Sequence, residues 1–181
     1  RRLSDAGAVQ LTTHRAVSFA PSYSPDGRHI AYLKTTRPLL DGCHPYLSVY
    51  DRASGKHTTF GTELDRGCTS FIWAPDSQSI WFTVEDRGNE TIYRASIEGE
   101  ITRLGSISSS SDLQVTPDGQ RLIMSVSSLT APPDLVAIDA SNIDHKEQLT
   151  SLNQETLEDL EWGEVSRFTY AGWGGEQVES W

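Results

Sequence analysis

Serine and histidine are the residues of this 181-residue chain that could catalyse acyl transfer, but their spacing indicates no catalytic triad. A serine nucleophile for that chemistry commonly lies in a Gly-x-Ser-x-Gly motif. None of the 14 glycines frames a serine in this way. The histidines fall in predicted loops or turns or at strand ends, and we interpret each as a surface residue: His14, His29, His44, His57 and His145. We therefore predict no catalytic residue.

Other kinds of site are also absent from the sequence pattern. No Cys, His and Asp cluster has metal-ligand spacing, and no glycine-rich phosphate loop is present, so we predict neither a metal nor a cofactor. The net charge of −10 argues against binding to nucleic acid, which needs clustered lysine and arginine. No apolar run reaches the roughly 18 residues of a membrane-spanning helix, so we expect no membrane span.

The element that organises the chain is a hairpin that occurs three times. Its copies are 22–32, 72–82 and 114–124, each with a Pro-Asp pair at the turn. Proline presets the first turn position, aspartate can bond its own backbone, and a following glycine accepts the left-handed conformation. The apolar run after each turn predicts a well-buried strand. Ser77 replaces the glycine in the second copy at a cost of about 1 kcal/mol, so we expect that hairpin to differ in shape.

Two further predicted strands follow each hairpin, so one four-stranded unit recurs. These strands are 46–51 and 57–60, 91–96 and 101–104, and 135–139 and 147–150. The Pro-Asp pairs begin at residues 25, 75 and 117, and repeats of roughly 40–50 residues with four strands are typical of β-propeller blades. We predict an all-β fold, a partial β-propeller of about three blades, with a plain β-sandwich as the alternative. Residues 9–12 are predicted as an additional strand, and 106–111 as a loop between blades.

The pattern changes after residue 150, and this change sets the predicted domains. We expect propeller blades over 1–150, a linker over 151–163 that is irregular or briefly helical, and a hairpin over 164–181. The hairpin lacks the Pro-Asp turn, so we interpret it as the first part of another, truncated domain. Three blades do not close a ring, because propellers typically have about four to eight. We therefore expect further blades before Arg1, and we interpret the chain as one that begins within a longer protein.

The three hairpins resemble the repeats of two propellers, that of TolB and that of the prolyl oligopeptidase family. The residues after the third unit favour the second family. Leu152-Asn153, Phe168-Thr169-Tyr170 and the segment 174–178 with Trp181 resemble the junction that leads, in this family, into an α/β-hydrolase domain. The resemblance covers about residues 9–181, and it points to serine peptidases of the acylaminoacyl-peptidase and dipeptidyl-peptidase 5 type.

This resemblance implies a substrate-gating propeller portion of a serine exopeptidase acting on short peptides, whose catalytic domain is not in this sequence. Such a propeller covers the active site and admits small or flexible peptides. The implied partners are the missing hydrolase domain, further blades and a peptide substrate, and open propeller edges could also self-associate. Acidic residues of the propeller bind the peptide amine in some relatives, so one acidic cluster is either such a face or a solvated linker: Glu155, Glu158, Asp159 and Glu161. The alternative is a non-enzymatic, TolB-like propeller that serves as a protein-interaction scaffold.

Cys43 and Cys68 are the only cysteines, and they are either two unrelated thiols or a disulfide. Strand directions alternate in a blade, so the loop after the second strand and the connection to the next blade emerge on one face. The two cysteines lie in these two segments, but a bridge also needs Cα atoms within about 7 Å. A disulfide would imply an oxidising compartment, the periplasm or the exterior. The sequence otherwise leaves the localisation open.

Overall fold

A computed structural model describes residues 9–37 and 43–181 of the chain. Twelve strands form three antiparallel four-stranded sheets, in each of which the strand order follows the chain order. Blade 1 consists of β1 (Ser18–Tyr23), β2 (His29–Thr35), β3 (Pro45–Asp51) and β4 (His57–Thr59). Blade 2 consists of β5 (Cys68–Trp73), β6 (Ser79–Asp86), β7 (Asn89–Ser96) and β8 (Ile101–Ile107). Blade 3 consists of β9 (Ser109–Val115), β10 (Arg121–Ser128), β11 (Ala131–Asp139) and β12 (Asn142–Gln148).

A short segment follows blade 3. It contains the helix α1 (Gln154–Glu158) and a two-stranded hairpin of β13 (Phe168–Ala171) and β14 (Gln177–Ser180). Single 3₁₀ turns lie at Thr62–Leu64 and Trp173–Gly175. The predicted all-β fold of repeated four-stranded units is therefore confirmed. Within the described ranges, no helix is both long enough and apolar enough to cross a membrane.

The predicted turn chemistry is present in all three hairpins. The amides of Gly27 and Gly119 donate to the carbonyls three residues earlier, at Ser24 and Thr116, over 2.8 Å. Both glycines have a left-handed backbone, with φ near 70°. In each turn the aspartate Oδ1 also accepts the amide two residues later, which is the Asx-turn expected from the Pro-Asp pair.

The second hairpin has the same hydrogen bonds as the others, so the prediction that it differs in shape is wrong. Ser77 adopts a φ of 63°, and its amide donates to the carbonyl of Ala74. The buried Ser77 hydroxyl accepts the amide of Asp26, in the neighbouring turn, over 3.0 Å. This hydrogen bond between blades offsets the backbone cost of a non-glycine residue in the left-handed region.

Several predicted segments differ from the structure. Residues 9–13 form no strand. Residues 106–107 belong to β8 and residues 109–111 to β9 instead of a loop, because this serine-rich stretch pairs with β7 and β10 and buries Ile107. Strand β12 begins at Asn142, earlier than the predicted residue 147, whereas β13 begins at Phe168, later than the predicted residue 164.

Apolar side chains fill the spaces between successive blades. One buried cluster joins blade 1 to blade 2 through Leu33, Leu47, Trp73 and Phe82. A second cluster, with Leu122 and other residues, joins blade 2 to blade 3. Blade 2 therefore uses one face against blade 1 and the other against blade 3, as the alternation of side chains along a strand allows.

The buried strands predicted after each turn differ in how completely they are covered. Residues 30–33 of β2 and 80–84 of β6 are all buried. On β10 only Leu122 and Met124 are fully buried, and the alternate residues Ile123 and Ser125 are half-buried. Blade 3 packs on blade 2 with one face and has no blade of the described chain against the other.

Candidate functional site

One serine and one histidine lie within hydrogen-bond distance, but they do not form a catalytic pair. Ser18 Oγ and His14 Nε2 are 3.2 Å apart, and the amide of Ala16 donates to His14 Nδ1. In the neutral ring the proton must therefore be on Nε2, so the histidine donates to the serine and cannot accept its proton. Desolvation lowers the pKa of His14, and the charge of Lys34 lowers it further.

Two other histidines have structural contacts. His57 Nδ1 lies 2.9 Å from the Tyr32 hydroxyl, and its ring packs against Tyr50 with centroids 4.8 Å apart. The His29 ring packs on Trp73 at 6.1 Å, and His29 Nε2 is 3.5 Å from a carboxylate oxygen of Asp51. These contacts hold strands of blade 1 together and to blade 2, and they form no nucleophile–base arrangement.

The two cysteines are free thiols in the structure, so the candidate disulfide is not formed there. Cys68 is buried as the first residue of β5, and its thiol donates to the carbonyl of Ser70. Burial raises the pKa of the Cys68 thiol far above its ordinary value. The adjoining segments nevertheless touch, because a Cβ atom added to Gly67 would lie 3.5 Å from the Cα atom of His44. The disulfide stays a prediction.

The acidic cluster lies along the exposed segment that connects blade 3 to the last hairpin. Glu155 and Glu158 are on α1, which has no buried residue, and Asp159 and Glu161 follow it. All four side chains are exposed. Among residues 9–37 and 43–181, no three His, Cys, Asp or Glu side chains come together as a metal-ligand set.

The last hairpin lies against the β6–β7 turn of blade 2. A Cβ atom added to Gly88 would lie only 2.4 Å from the ring of Trp181, so the indole packs directly on the glycine backbone. Gly88 has a φ of +70°, which is a second reason for glycine at this position. A cavity of about 500 Å³ beside this contact is lined by Trp181, Val165 and residues of the β10–β11 turn, including Leu129.

The same hairpin exposes a group of aromatic side chains. Phe168 and Tyr170 are exposed on β13, with ring centroids 6.2 Å apart, and Trp173 at the turn is 98% exposed. Two-stranded sheets need a packed face to be stable in water. Exposed aromatic residues clustered on such a sheet are typical of a contact surface.

A second uncovered apolar region lies on blade 1. Every residue of β1 is exposed, including Phe19 and Tyr23. A mainly apolar cavity of about 190 Å³ on this side is lined by Phe19, Ile30 and Tyr32, among others. The corresponding side of blade 2 is filled by blade 1, whereas this side of blade 1 has no blade of the described chain against it.

A third region, which the sequence analysis missed, lies between the hairpin turns of blades 2 and 3. This cavity of about 400 Å³ is lined by Trp81 and Arg94 of blade 2 and by Asp118 and Asp139 of blade 3, among others. The sequence contains one signal for this region: Trp81 occupies the repeat position at which the other two units have Ala31 and Ile123.

Curated proteins of two kinds are similar to the chain in sequence, whereas no protein-family model matches it. It is 34% identical over 73 residues to a probable dipeptidyl-peptidase 5 of Emericella nidulans, a match covering 40% of the chain and 10% of that protein. It is 29% identical over 122 residues to a TolB homologue of Chlorobium chlorochromatii, covering 65% of the chain and 25% of that protein. The matches thus span a quarter or less of these relatives.

Solved structures support the fold. The Pyrococcus horikoshii acylaminoacyl peptidase aligns with a TM-score of 0.64 and 19% identity, over 85% of this chain and 23% of that one. The β-propeller domain of the Trilobed protease from Pyrococcus furiosus aligns with a TM-score of 0.58 and 14% identity, over 76% of this chain and 44% of that one. The chain therefore has the fold of part of a β-propeller, with similarity both to peptidase propellers and to TolB.

Proposed function

We propose that this chain is the substrate-gating propeller portion of a serine exopeptidase that acts on short peptides. The observation that supports this most is the last hairpin, which packs on blade 2 through Trp181 and Gly88 while leaving its aromatic side chains uncovered. Such a hairpin is suited to join the propeller to a further domain. The resemblance of the segment after blade 3 to the junction of the prolyl oligopeptidase family implies the kind of domain, an α/β-hydrolase, and the similarity to a probable dipeptidyl-peptidase 5 agrees with a peptidase.

In this function the propeller selects substrates by restricting access to the active site, which depends on the shape of the propeller and requires no catalytic group. The three sheets pack through continuous apolar clusters, so they move as a stiff wall. A stiff wall beside an active site excludes folded proteins and admits short or flexible peptides.

Further blades belong to the same proposal. The uncovered face of blade 1, with Phe19 and Tyr23, and the half-covered strand β10 lie at the two ends of the blade row. A closed ring would cover both ends. Without additional blades the isolated chain should self-associate through these faces at micromolar concentration, which sedimentation velocity measures; a stable monomer would contradict the open arc.

The test of the enzymatic proposal compares the full-length product of the gene with the 181-residue chain alone. Both are treated with a serine-directed fluorophosphonate probe and with chromogenic aminoacyl and dipeptidyl substrates. We expect stoichiometric labelling and hydrolysis by the full-length product only. A labelled serine in the short chain, or an unlabelled full-length product, would contradict the proposal.

A TolB-like scaffold without enzymatic activity is the second candidate. It is favoured by the length of the match to the TolB homologue, 122 residues against 73 for the peptidase. In this case the full-length product contains no reactive serine, and its blades serve as a binding platform. The labelling experiment therefore separates the two candidates.

A further inference from the structure

Glu90 is a buried acid near the start of β7, and a chain of three hydroxyl groups leads to its carboxyl. The residue is 8% exposed, and its Oε2 accepts from the hydroxyl of Thr69 over 2.9 Å. The Thr69 hydroxyl lies 2.7 Å from that of Thr83, which lies 2.8 Å from that of Ser70. Among residues 9–37 and 43–181, Glu90 forms no ion pair. A buried carboxylate without a countercharge is unfavourable, so this site accommodates the protonated acid better.

The charges on the neighbouring strand β6 also oppose ionisation of Glu90. Glu85 stands directly opposite it in the β6–β7 ladder, and like charges at paired positions repel. The next residue of β6, Asp86, is already paired with Arg66 over 3.0 Å. Burial and, to a smaller extent, the charge of Glu85 raise the pKa of Glu90, although the hydroxyl hydrogen bonds act in the opposite direction. Ionisation of Glu90 therefore places two negative charges side by side at the ends of these two strands.

The other strands around Glu90 provide no countercharge within the described ranges. On β5 the nearby Cys68 is a neutral thiol, because burial and the charge of Glu90 raise its pKa. On β8 the residue opposite Glu90 is the apolar Ile107, and the cation of this strand, Arg103, lies on the opposite face of the sheet. Strand β9 of blade 3 packs on β5, and its one charged residue, Asp112, is exposed and also acidic.

The Glu85–Glu90 pair lies at the base of the β6–β7 turn, on which the last hairpin packs. One further residue pair separates it from the tip of the turn, where the ring of Trp181 packs on Gly88. The cavity of about 500 Å³ beside this contact gives water a route to the same turn. No residue of β13 or β14 is fully buried, so the rest of the hairpin adds little to this contact. Separation of the two acids therefore displaces the surface on which Trp181 packs.

We propose that the protonation state of Glu90 controls the docking of the last hairpin on blade 2. With Glu90 protonated, the β6–β7 turn stays closed and Trp181 packs on Gly88. When Glu90 ionises, its repulsion from Glu85 and its need for hydration open the base of the turn, and the hairpin is released. This inference applies to either candidate function, because all of its residues lie in blade 2 and the last hairpin.

The test is ¹⁹F NMR of the chain labelled with fluorotryptophan, observed at the resonance of Trp181. Trp181→Phe assigns this resonance, and Trp173, which is 98% exposed, gives the reference for an uncovered indole. The pH is raised from about 5, near the ordinary range for glutamate, to about 9. We expect the Trp181 resonance of the wild type to shift towards the Trp173 reference as the pH rises. In Glu90→Gln, which cannot ionise, it should keep its docked position throughout.

Two control variants and a second measurement complete the test. Gly88→Ala should show the released position at every pH, because the added Cβ atom takes the place of the Trp181 ring. Glu98→Gln, an exposed acid on the turn at the other end of β7, should keep the wild-type transition. Circular dichroism at each pH separates release of the hairpin from unfolding of the blades. A wild-type resonance that does not move, an equal shift in Glu90→Gln, or a loss of sheet signal that accompanies the shift would overturn the proposal.

Discussion

The two interfaces between blades use the same strand positions, but they differ in how their polar groups are placed. Between blades 1 and 2, Ala31 and Val49 pack in an apolar cluster, and the indole of Trp73 is satisfied by a backbone carbonyl. Between blades 2 and 3, Arg94 and Trp81 line an open cavity. The same scaffold can therefore close one interface with apolar contacts and leave a cavity at the end of the next one.

Strand β7 shows how this difference arises within one element. Glu90, Ile92 and Arg94 alternate along the strand and so share a face. Ile92 is fully buried in the cluster with blade 3. A charged residue lies on either side of it, so the apolar contact between blades 2 and 3 is confined to the middle of the strand. No such charged pair flanks the apolar residues of β3 in blade 1.

The largest expected effect comes from emptying the apolar interface. Phe82 is 1% exposed and stacks on Tyr93 with ring centroids 5.4 Å apart. Phe82→Ala should lower the free energy of unfolding by about 3–5 kcal/mol, because the neighbours cannot refill the space. Urea denaturation followed by circular dichroism measures this value. Trp173→Ala, at a fully exposed position, should change it by less than about 0.5 kcal/mol, and equal losses for both would contradict the assigned core.

The candidate disulfide would strengthen the same interface by linking blade 1 to blade 2. A bridge between Cys43 and Cys68 closes a loop of roughly 25 residues and stabilises by about 3 kcal/mol in the chain-entropy model. It requires the Cys68 thiol to turn away from the carbonyl of Ser70. Mass spectrometry of non-reduced, alkylated protein from an oxidising compartment decides between the bridge and two unrelated thiols, because linked peptides would establish the bridge. Two alkylated thiols would exclude the bridge and remove the argument for export.

Overpacking tests the interface between blades 2 and 3. A Cβ atom added to Gly105 would lie 2.3 Å from the end of the Ile143 side chain. Gly105→Ala should therefore lower the free energy of unfolding by about 1–3 kcal/mol. Gly99→Ala is the matched control, because Gly99 also has a positive φ but no neighbour within 4 Å. Similar losses for both variants would mean that backbone strain, and not packing between the blades, sets the cost.

Ser77 offers a smaller and more specific test of the contact between blades 1 and 2. Ser77→Ala removes the acceptor of the Asp26 amide and keeps the left-handed backbone, so we expect a loss of about 1 kcal/mol. Ser77→Gly removes the same acceptor but relaxes the backbone, so it should be closer to wild type. Thermal unfolding of the two variants measures the difference, and a glycine variant less stable than the alanine variant would contradict this account.

The fold was predictable from the sequence because its signals are local. A Pro-Asp turn and the alternation of apolar residues fix each hairpin, and their recurrence indicates blades. The cavity was not predictable from those signals, because it depends on side chains from two blades that meet only in the tertiary structure. Ser77 illustrates the same limit: its turn alone indicates strain, and only the amide of Asp26, 51 residues away, explains why the turn is unchanged.

The smallest expected effect concerns Glu90, the buried acid on the face of blade 2 that contacts blade 3. Its Oε2 accepts from the hydroxyl of Thr69 over 2.9 Å, and desolvation raises its pKa above the ordinary value of 4.5. The folded state therefore binds a proton more tightly than the unfolded state at this residue. Stability from this group is fully present below pH 4.5 and is lost as the pH rises through the folded pKa.

Glu90→Gln isolates this contribution, because glutamine keeps an oxygen for Thr69 and cannot ionise. We expect the variant to gain stability relative to wild type as the pH rises from 4 to 8, measured by urea denaturation at each pH. The surface aspartates Asp26, Asp51, Asp118 and Asp139 have lowered pKa values and lose their stabilising effect in acid. They are shared by both proteins and cancel in the difference. A difference that is constant with pH would mean that Glu90 is as well solvated in the folded chain as in the unfolded one, and the contrast between the two interfaces would then rest on Arg94 and Trp81 alone.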